Sequence, residues 1–407
     1  MREFFKVVSL EQARALAVRF GLVGTEAVGL AGAVGRNLAE DITAPADLPG
    51  FRRSTMDGFA VVAASTFGAS EAAPALLDVV GEVQMGEVAT ATVGRGQAVA
   101  IPTGGMAPDG ADAVVMVEHT EHLDDRTIEV SRPVAPGDNL IASDEDAAAG
   151  QVLLRAGQRI RAQEAGLLAA IGQVEVEVFR RPVVAILSTG DEIVPPETQP
   201  GPGQVRDVNS TTLAALVTQC GGRPLQLGIV PDELESLSST CLSALAQADT
   251  LLISGGSSVG TRDLTLAVLQ ALPDAELLAH GVAIRPGKPT ILSRTGDKAV
   301  WGLPGHAASA MVVFRVLVQP FLQHIGGGDQ AGGLRVSARL SRNVVSAHGR
   351  TDFVRVRVEP GQDSVRAVPV LGRSGLLRTM VGAHGLVRID RDTEGLDAGA
   401  QVSVLLF

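Results

Sequence analysis

Three short apolar runs in the middle of the sequence each end in a turn that carries a carboxylate. Val183 to Leu187 runs into Ser188-Thr-Gly-Asp-Glu192, Leu225 to Val230 into Pro231-Asp232, and Thr250 to Ile253 into Gly255-Gly-Ser-Ser-Val-Gly-Thr-Arg-Asp263. Runs of this length bounded by turn residues read as buried strands of a parallel sheet, and ligands bind beyond the carboxyl ends of such strands. Ser188, Thr189 and Gly190, with Gly255, Gly256, Ser257 and Ser258, offer hydroxyls and backbone N–H groups to an anion, because glycine lets the main chain pass close to a ligand. Glu192, Asp232 and Asp263 offer carboxylates to a cation. A Gly-Gly-Ser turn alone is equally well a tight strand-to-helix connection. Three acidic strand ends on one rim point instead to a cation-assisted phosphate site.

The same region supplies cations. Arg285-Pro-Gly-Lys288-Pro holds Arg285 and Lys288 on a stiff framework, and Leu303-Pro304-Gly305 opens the next helix with an anion-accepting turn. An acidic chain, with 34 Lys and Arg against 45 Asp and Glu and a net charge of −11, must concentrate its cations locally to hold phosphate. Three other stretches could contribute. Arg52, Arg53, Ser54, Thr55 and Asp57 sit in a Pro- and Gly-marked loop, which reads either as a site for a phosphorylated, metal-dependent ligand or as a polar loop with Asp57 capping a turn. Thr103 lies in the glycine-rich Pro102-Thr-Gly-Gly105. Asp144, Glu145 and Asp146 precede Ala147, where carboxylates would suit a helix start or a ligand equally. Glu118-His119-Thr-Glu121-His122 completes no zinc spacing and reads as a solvated strand end.

Stepping along the chain, Ser9 to about Glu40 has helical spacing, with Ser9 as N-cap and Gly21 as a stop. Short alternating runs between Pro49 and Leu140 suggest a small β domain, after which the chain returns to loop and helix. From Pro182 strand and helix alternate, which gives a doubly wound parallel sheet covered on both faces. Gly326 to Gly333 is a linker, and short strands follow to the end. The fold class is therefore multidomain α/β. Its expected parts are a helical or mixed domain of residues 1–48 plus 141–181, a β-rich insertion at 49–140, an α/β domain at 182–326 and an all-β domain at 334–407.

Few aromatic residues, with no Tyr and one Trp, and the acidic balance exclude a nucleic-acid partner. The apolar stretch Ala307 to Leu322 is interrupted by Arg315 and Pro320 and is short for a membrane span, and Met1 to Lys6 precedes no signal-like run, so a cytoplasmic protein is expected. Cys220 and Cys241, in separate helices, read as reduced and buried.

Taken together, STMDGFA (Ser54 to Ala60), PTGG with GADAVV (Pro102 to Val115), STGDE (Ser188 to Glu192), GGSSVGTRD (Gly255 to Asp263), RPGKP (Arg285 to Pro289) and LPG (Leu303 to Gly305) resemble, in order, the motifs of the MoeA family, the molybdopterin molybdenumtransferases, to which the gephyrin E domain is related. The resemblance covers nearly the whole chain. It implies a four-domain, L-shaped homodimer in which the first domain is elongated and the active site forms between domains of both protomers. It also implies transfer of molybdenum from molybdate to the dithiolene of adenylylated molybdopterin, with Mg²⁺ and release of AMP. A molybdopterin adenylyltransferase would be the partner that supplies the substrate. Carried over by position, Asp57, Thr103, Asp146, Glu192, Asp232 and Asp263 would be catalytic, the last three as metal ligands. The substrate set would be Ser188 to Gly190, Gly255 to Ser258, Arg285, Lys288, Pro304, Gly305, Arg355 and Ser374. The chain departs from the family at Gly281 and Arg285, where Lys is usual, at Phe59, where Tyr is usual, and at His306-Ala307, where Asn-Pro is usual. Loss of a point charge at Gly281 is expected to weaken molybdate binding, and a non-catalytic molybdopterin-binding or scaffold protein of the same fold is the alternative.

Overall fold

The computed structural model describes residues 6–255, 261–328, 333–362 and 364–407. Gly256, Ser257 and Ser258 lie outside these residues, and of Asp263 only the backbone is described. The chain forms two compact units, one of Met1–Ala39, Gly157–Ala162 and Glu175–Phe407, the other of Glu40–Ala156 and Gln163–Val174.

In the first unit, helix α1 (Leu10–Ala17) starts as its sequence dictates. Gln12 N–H donates to Ser9 Oγ at 3.1 Å and Ser9 N–H to Gln12 Oε1 at 2.8 Å, a reciprocal cap that satisfies two otherwise orphaned donors. The expectation of helix on to Glu40 is corrected here: Thr25–Gly29 is a strand, paired antiparallel with Glu175–Phe179. Its partner lies about 150 residues on in the chain, and a pairing so distant overrides local helical spacing.

The central sheet contains β1 (Val183–Thr189), β2 (Arg223–Val230), β3 (Thr250–Gly255), β4 (Ala275–His280), β5 (Ile291–Thr295) and β6 (Lys298–Leu303), in the order β2-β1-β3-β6-β5-β4. The four strands from β2 to β6 are parallel, whereas β5 and β4 add antiparallel neighbours, so the sheet is mixed at one edge. After the crossover helix Thr261–Ala271 the chain adds an excursion, Ala275–Thr295, punctuated by Gly281, Pro286 and Gly287, which turns back on itself before β6. Alternate side chains of β1 enter two different cores. Val184 and Ile186 pack with α2 (Asn209–Gln219) and the long helix Ala307–Ile325, while Val183, Ala185 and Leu187 pack with α3 (Leu234–Gln247) and α4 (Thr261–Ala271). Burial on both faces explains why β1 is continuously apolar from Val183 to Leu187 rather than alternating.

The helix Ala307–Ile325 is long and apolar enough to cross a membrane, but 67% of its apolar window is buried within the protein. Trp301 and Phe321 meet edge to face at 5.5 Å within this core. Pro320 has no N–H for the Val316 carbonyl, and Arg14 Nε donates to that oxygen instead at 3.0 Å. A wide turn over Phe314–Val318 absorbs the irregularity. Both cysteines are free thiols, and burial pushes them up to about 11 for Cys220 and about 12 for Cys241.

The C-terminal strands Thr351–Glu359, Arg366–Pro369, Arg335–Leu340, Gln401–Leu406 and Gly385–Ile389 pair around a closed ring, because the first also pairs with the last. Closure removes sheet edges and encloses a core of Ala338, Leu340, Val356, Ala367, Val387, Val402 and Val404. The two-residue strand Ile284–Arg285 attaches to this barrel at Thr351 and Asp352.

The second unit is built on a six-stranded sheet in the order Ala113–Met116, Gly58–Val61, Gln97–Ile101, Ala75–Glu82, Thr127–Val130, Thr120–His122. The acidic run at Asp144 to Asp146 does not start a helix. It forms a turn in which the N–H groups of Asp146 and Ala147 both donate to the Leu48 carbonyl, at 3.0 and 3.1 Å.

Candidate functional site

At the carboxyl edge of the central sheet, Thr189 and Gly255 are the facing last residues of β1 and β3. Gly255 has φ +139, and a Cβ there would lie 1.9 Å from the Thr189 carbonyl oxygen. Only glycine fits both the backbone and the space. Gly255→Ala is therefore expected to cost about 2–4 kcal/mol of stability, read as a lower urea midpoint with unchanged slope.

Thr189 Oγ1 donates to Asp232 Oδ1, which ties the end of β1 to the turn after β2. Asp232 Oδ2 has no hydrogen-bond partner among the described residues. Glu192 folds back over Gly190: a Cβ on Gly190, where φ is +145, would lie 2.9 Å from Glu192 Oε2. The hydroxyl of Ser188 is buried and has no partner among the described residues. Beside it, Asn209 Nδ2 donates to Ser254 Oγ at 2.7 Å and to the Gly305 carbonyl at 2.8 Å, so one amide fixes the end of β3 and the Pro304-Gly305 turn together. Asn209 was not among the sequence candidates. Its signal was its place at the first residue of the helix after Asp207-Val208, facing strand ends rather than solvent.

The two expected cations differ. Arg285 Nη1 lies 3.6 Å from Oδ2 of buried Asp352, whose other oxygen accepts from Arg350 Nε at 2.9 Å. Lys288 is exposed and its ammonium has no partner among the described residues. From the barrel, Arg355 is turned inward upon its own domain: Nη1 donates to Thr379 Oγ1 at 2.8 Å and Nη2 to the Gly372 carbonyl at 2.6 Å, with burial drawing its pKa down. It thereby holds both ends of the loop that carries Ser374. Ser374 Oγ lies 3.0 Å from His306 Nδ1.

Among the described residues no group of three or more His, Cys, Asp or Glu could hold a metal ion alone. Mg²⁺ does not need one, since it is commonly bound by one or two carboxylates together with water and substrate phosphate oxygens. Asp232, fixed by Thr189 with its second oxygen unengaged, and the carboxylate of Glu192 against Gly190 fit that requirement.

In the second unit two loops are laced together. Gly104 N–H donates to the Ser54 carbonyl at 2.8 Å, and Ser54 N–H to the Gly105 carbonyl at 3.0 Å. This brings Thr103 over Asp57, whose Oδ1 accepts from Thr103 N–H at 2.7 Å and from Thr103 Oγ1 at 2.9 Å. Both bonds favour the ionised carboxyl and hold Asp57 below the usual aspartate range. Gly58 is required next to it, because a Cβ would meet the Val115 carbonyl oxygen at 1.9 Å. Asp146 has no hydrogen bond to Asp57 or Thr103. His119 and His122 belong to no metal group among the described residues, and His122 stacks edge to face on Phe59 at 5.8 Å.

Three family profiles match along the chain: the MoeA N-terminal region (domain I and II) at 8–172, a probable molybdopterin binding domain at 185–324, and the MoeA C-terminal region (domain IV) at 337–407. The sequence is 35% identical to the molybdopterin molybdenumtransferase of Bacillus subtilis over 387 residues, 94% of this chain and 90% of that protein. It is also 35% identical to a putative molybdopterin biosynthesis protein of Methanocaldococcus jannaschii, over 93% of this chain and 92% of that one. The crystal structure of a molybdopterin biosynthesis MoeA protein from Pyrococcus horikoshii superposes with a TM-score of 0.86 and 32% identity, over 99% of this chain and 100% of the other.

Proposed function

Since this chain belongs to the MoeA family and is homologous to molybdopterin molybdenumtransferase, we propose that it inserts molybdenum from molybdate into adenylylated molybdopterin with Mg²⁺-dependent release of AMP. The general activity, molybdopterin binding and molybdenum insertion, follows from the family. The observation that carries the finer reading is the rim formed by Thr189, Asp232 and Gly255, where the Thr189 hydroxyl fixes a carboxylate whose second oxygen is unengaged among the described residues.

Each residue has a task in this reading. Gly255 lets β3 pass against the Thr189 carbonyl and Gly190 lets Glu192 fold back, which together shape the rim, and Thr189 orients Asp232. Asp232 and Glu192 would hold Mg²⁺, which when bound would supply neutralisation of the negative charge on the departing phosphate. Lys288 and the exposed guanidinium of Arg285 attract the oxyanion, Lys288 more strongly because Asp352 already compensates part of the Arg285 charge. Asp57, fixed by Thr103, is assigned to the same reaction, as are Asp146 and Asp263. The protein is proposed to act as a cytoplasmic homodimer that receives its substrate from a molybdopterin adenylyltransferase.

One observation favours the alternative of a non-catalytic molybdopterin-binding or scaffold protein. Gly281 has φ +102 and donates its N–H to the Thr290 carbonyl at 2.9 Å, a backbone that disfavours lysine, so the cation usual in the family has no equivalent at this position. The two readings separate in the product. After incubation with adenylylated molybdopterin, Mg²⁺ and molybdate, mass spectrometry of the released pterin should find molybdenum on the dithiolene. Intact adenylylated pterin, bound but unchanged, would establish the scaffold.

A further inference from the structure

We propose that His306 is a positioning residue: its hydrogen bond to Ser374 latches the Gly372–Thr379 loop of the C-terminal barrel to the carboxyl edge of the central sheet. The loop has three anchors. Arg355 grips its two ends through the Gly372 carbonyl and Thr379 Oγ1. Leu377 and Met380 pack against the core that contains Phe314 and Leu303. Between these, the segment from Arg373 to Leu376 is exposed or half-buried, and its one side-chain hydrogen bond beyond the barrel among the described residues joins Ser374 Oγ and His306 Nδ1, at 3.0 Å. A Cβ on Gly375 would lie 3.9 Å from His306 Cδ2, so the tip of the loop faces the ring with room for no more than a methyl group between them.

The other end of the latch is rigid. The His306 carbonyl accepts from the N–H groups of Ser309 and Ala310 at 2.9 and 3.0 Å, which makes His306 the entry residue of the buried helix Ala307–Ile325. Just before it, Gly305 is held by Asn209. A ring mounted on so fixed a backbone transmits the position of the sheet rim to Ser374. Arg373 and Arg378, exposed and with guanidiniums that have no partner among the described residues, lie on either side of Ser374 in the chain. Fixing the loop therefore fixes the Cα positions from which two exposed guanidiniums can reach an anion. No described group orients His306 Nε2, so the pair lacks the third member that would make the serine a nucleophile. That the anion is the phosphate of adenylylated molybdopterin rests on the proposed function.

The test uses replacements that differ in where they place a polar atom. Asn carries one at the branch position of Nδ1, whereas Gln reaches the position of Nε2, so H306N should keep the bond and H306Q and H306A should lose it. Amide hydrogen exchange of a peptide covering Arg373 to Val381, read in the free full-length protein, should be about five- to tenfold faster in H306A and H306Q and unchanged in H306N. Ser374→Ala should match H306A, and the double variant should be no faster than either alone. Unchanged exchange in H306A, or equal exchange in H306N and H306Q, overturns the proposal. In the same series, affinity for adenylylated molybdopterin should fall about fivefold wherever exchange accelerates. Failure of the wild-type protein to bind that compound would count against the proposed function and leave the latch, measured without ligand, standing.

Discussion

Asp232→Ala is expected to reduce molybdate-dependent AMP release by about 10²–10³-fold, the loss typical of removing one preorganised charge-stabilising group. Asp232 occupies the turn after β2 and is fixed by the Thr189 hydroxyl at the end of β1, which leaves its second oxygen for a cation. Two further variants assign the loss. Asp232→Asn keeps an acceptor for Thr189 but removes the charge, and should be almost as defective as the alanine variant. Thr189→Val removes only the orienting bond and should cost roughly tenfold. An Asp232→Asn enzyme with normal turnover would show that the carboxylate charge is not used. Rates at saturating and limiting substrate separate the contributions to kcat and KM.

The second large effect is expected at Asp57, where alanine should lower kcat by about 100-fold, with only a small loss of stability from the two exposed Thr103 hydrogen bonds. The carboxylate is on the surface of its loop, so its removal empties no core. Its pKa makes a separate prediction. Two hydrogen bonds from Thr103 depress it in the folded protein, so their stabilisation is fully present above the unfolded-state value and is lost as pH falls through the lower, folded value. Thr103→Val removes the hydroxyl donor and should move the Asp57 carboxyl upward, seen directly by NMR titration of the side-chain carbon. A carboxyl that titrates identically in wild type and Thr103→Val would contradict the geometry at this loop.

Much of this architecture was written in local sequence. The parallel strands were legible because β1 and β3 are buried on both faces, which demands unbroken apolar runs ended by glycine or acid. The Ser9 cap was legible for the same reason that it works, namely a hydroxyl and an amide three residues apart. Thr25–Gly29 was not, since its strand partner Glu175–Phe179 is remote in sequence. Nor was the antiparallel edge, where β4 and β5 fold back on β6 instead of crossing over.

The site divides along similar lines. Glycines at 190 and 255 announce a close approach, and the structure supplies the atoms approached. Which cations are engaged was hidden, because the pairing of Arg285 with Asp352 and the inward turn of Arg355 are tertiary contacts. Asn209 and His306 were hidden for another reason. Neither residue type is conspicuous by itself, and each acquires its role from two elements that meet on it.

The most direct test of the account mixes the purified protein with adenylylated molybdopterin and Mg²⁺ and follows AMP release with and without molybdate. The account predicts release that depends on molybdate, is abolished by chelating Mg²⁺, and is accompanied by metal on the dithiolene. Tight binding of the adenylylated pterin with no AMP released in either condition would contradict it.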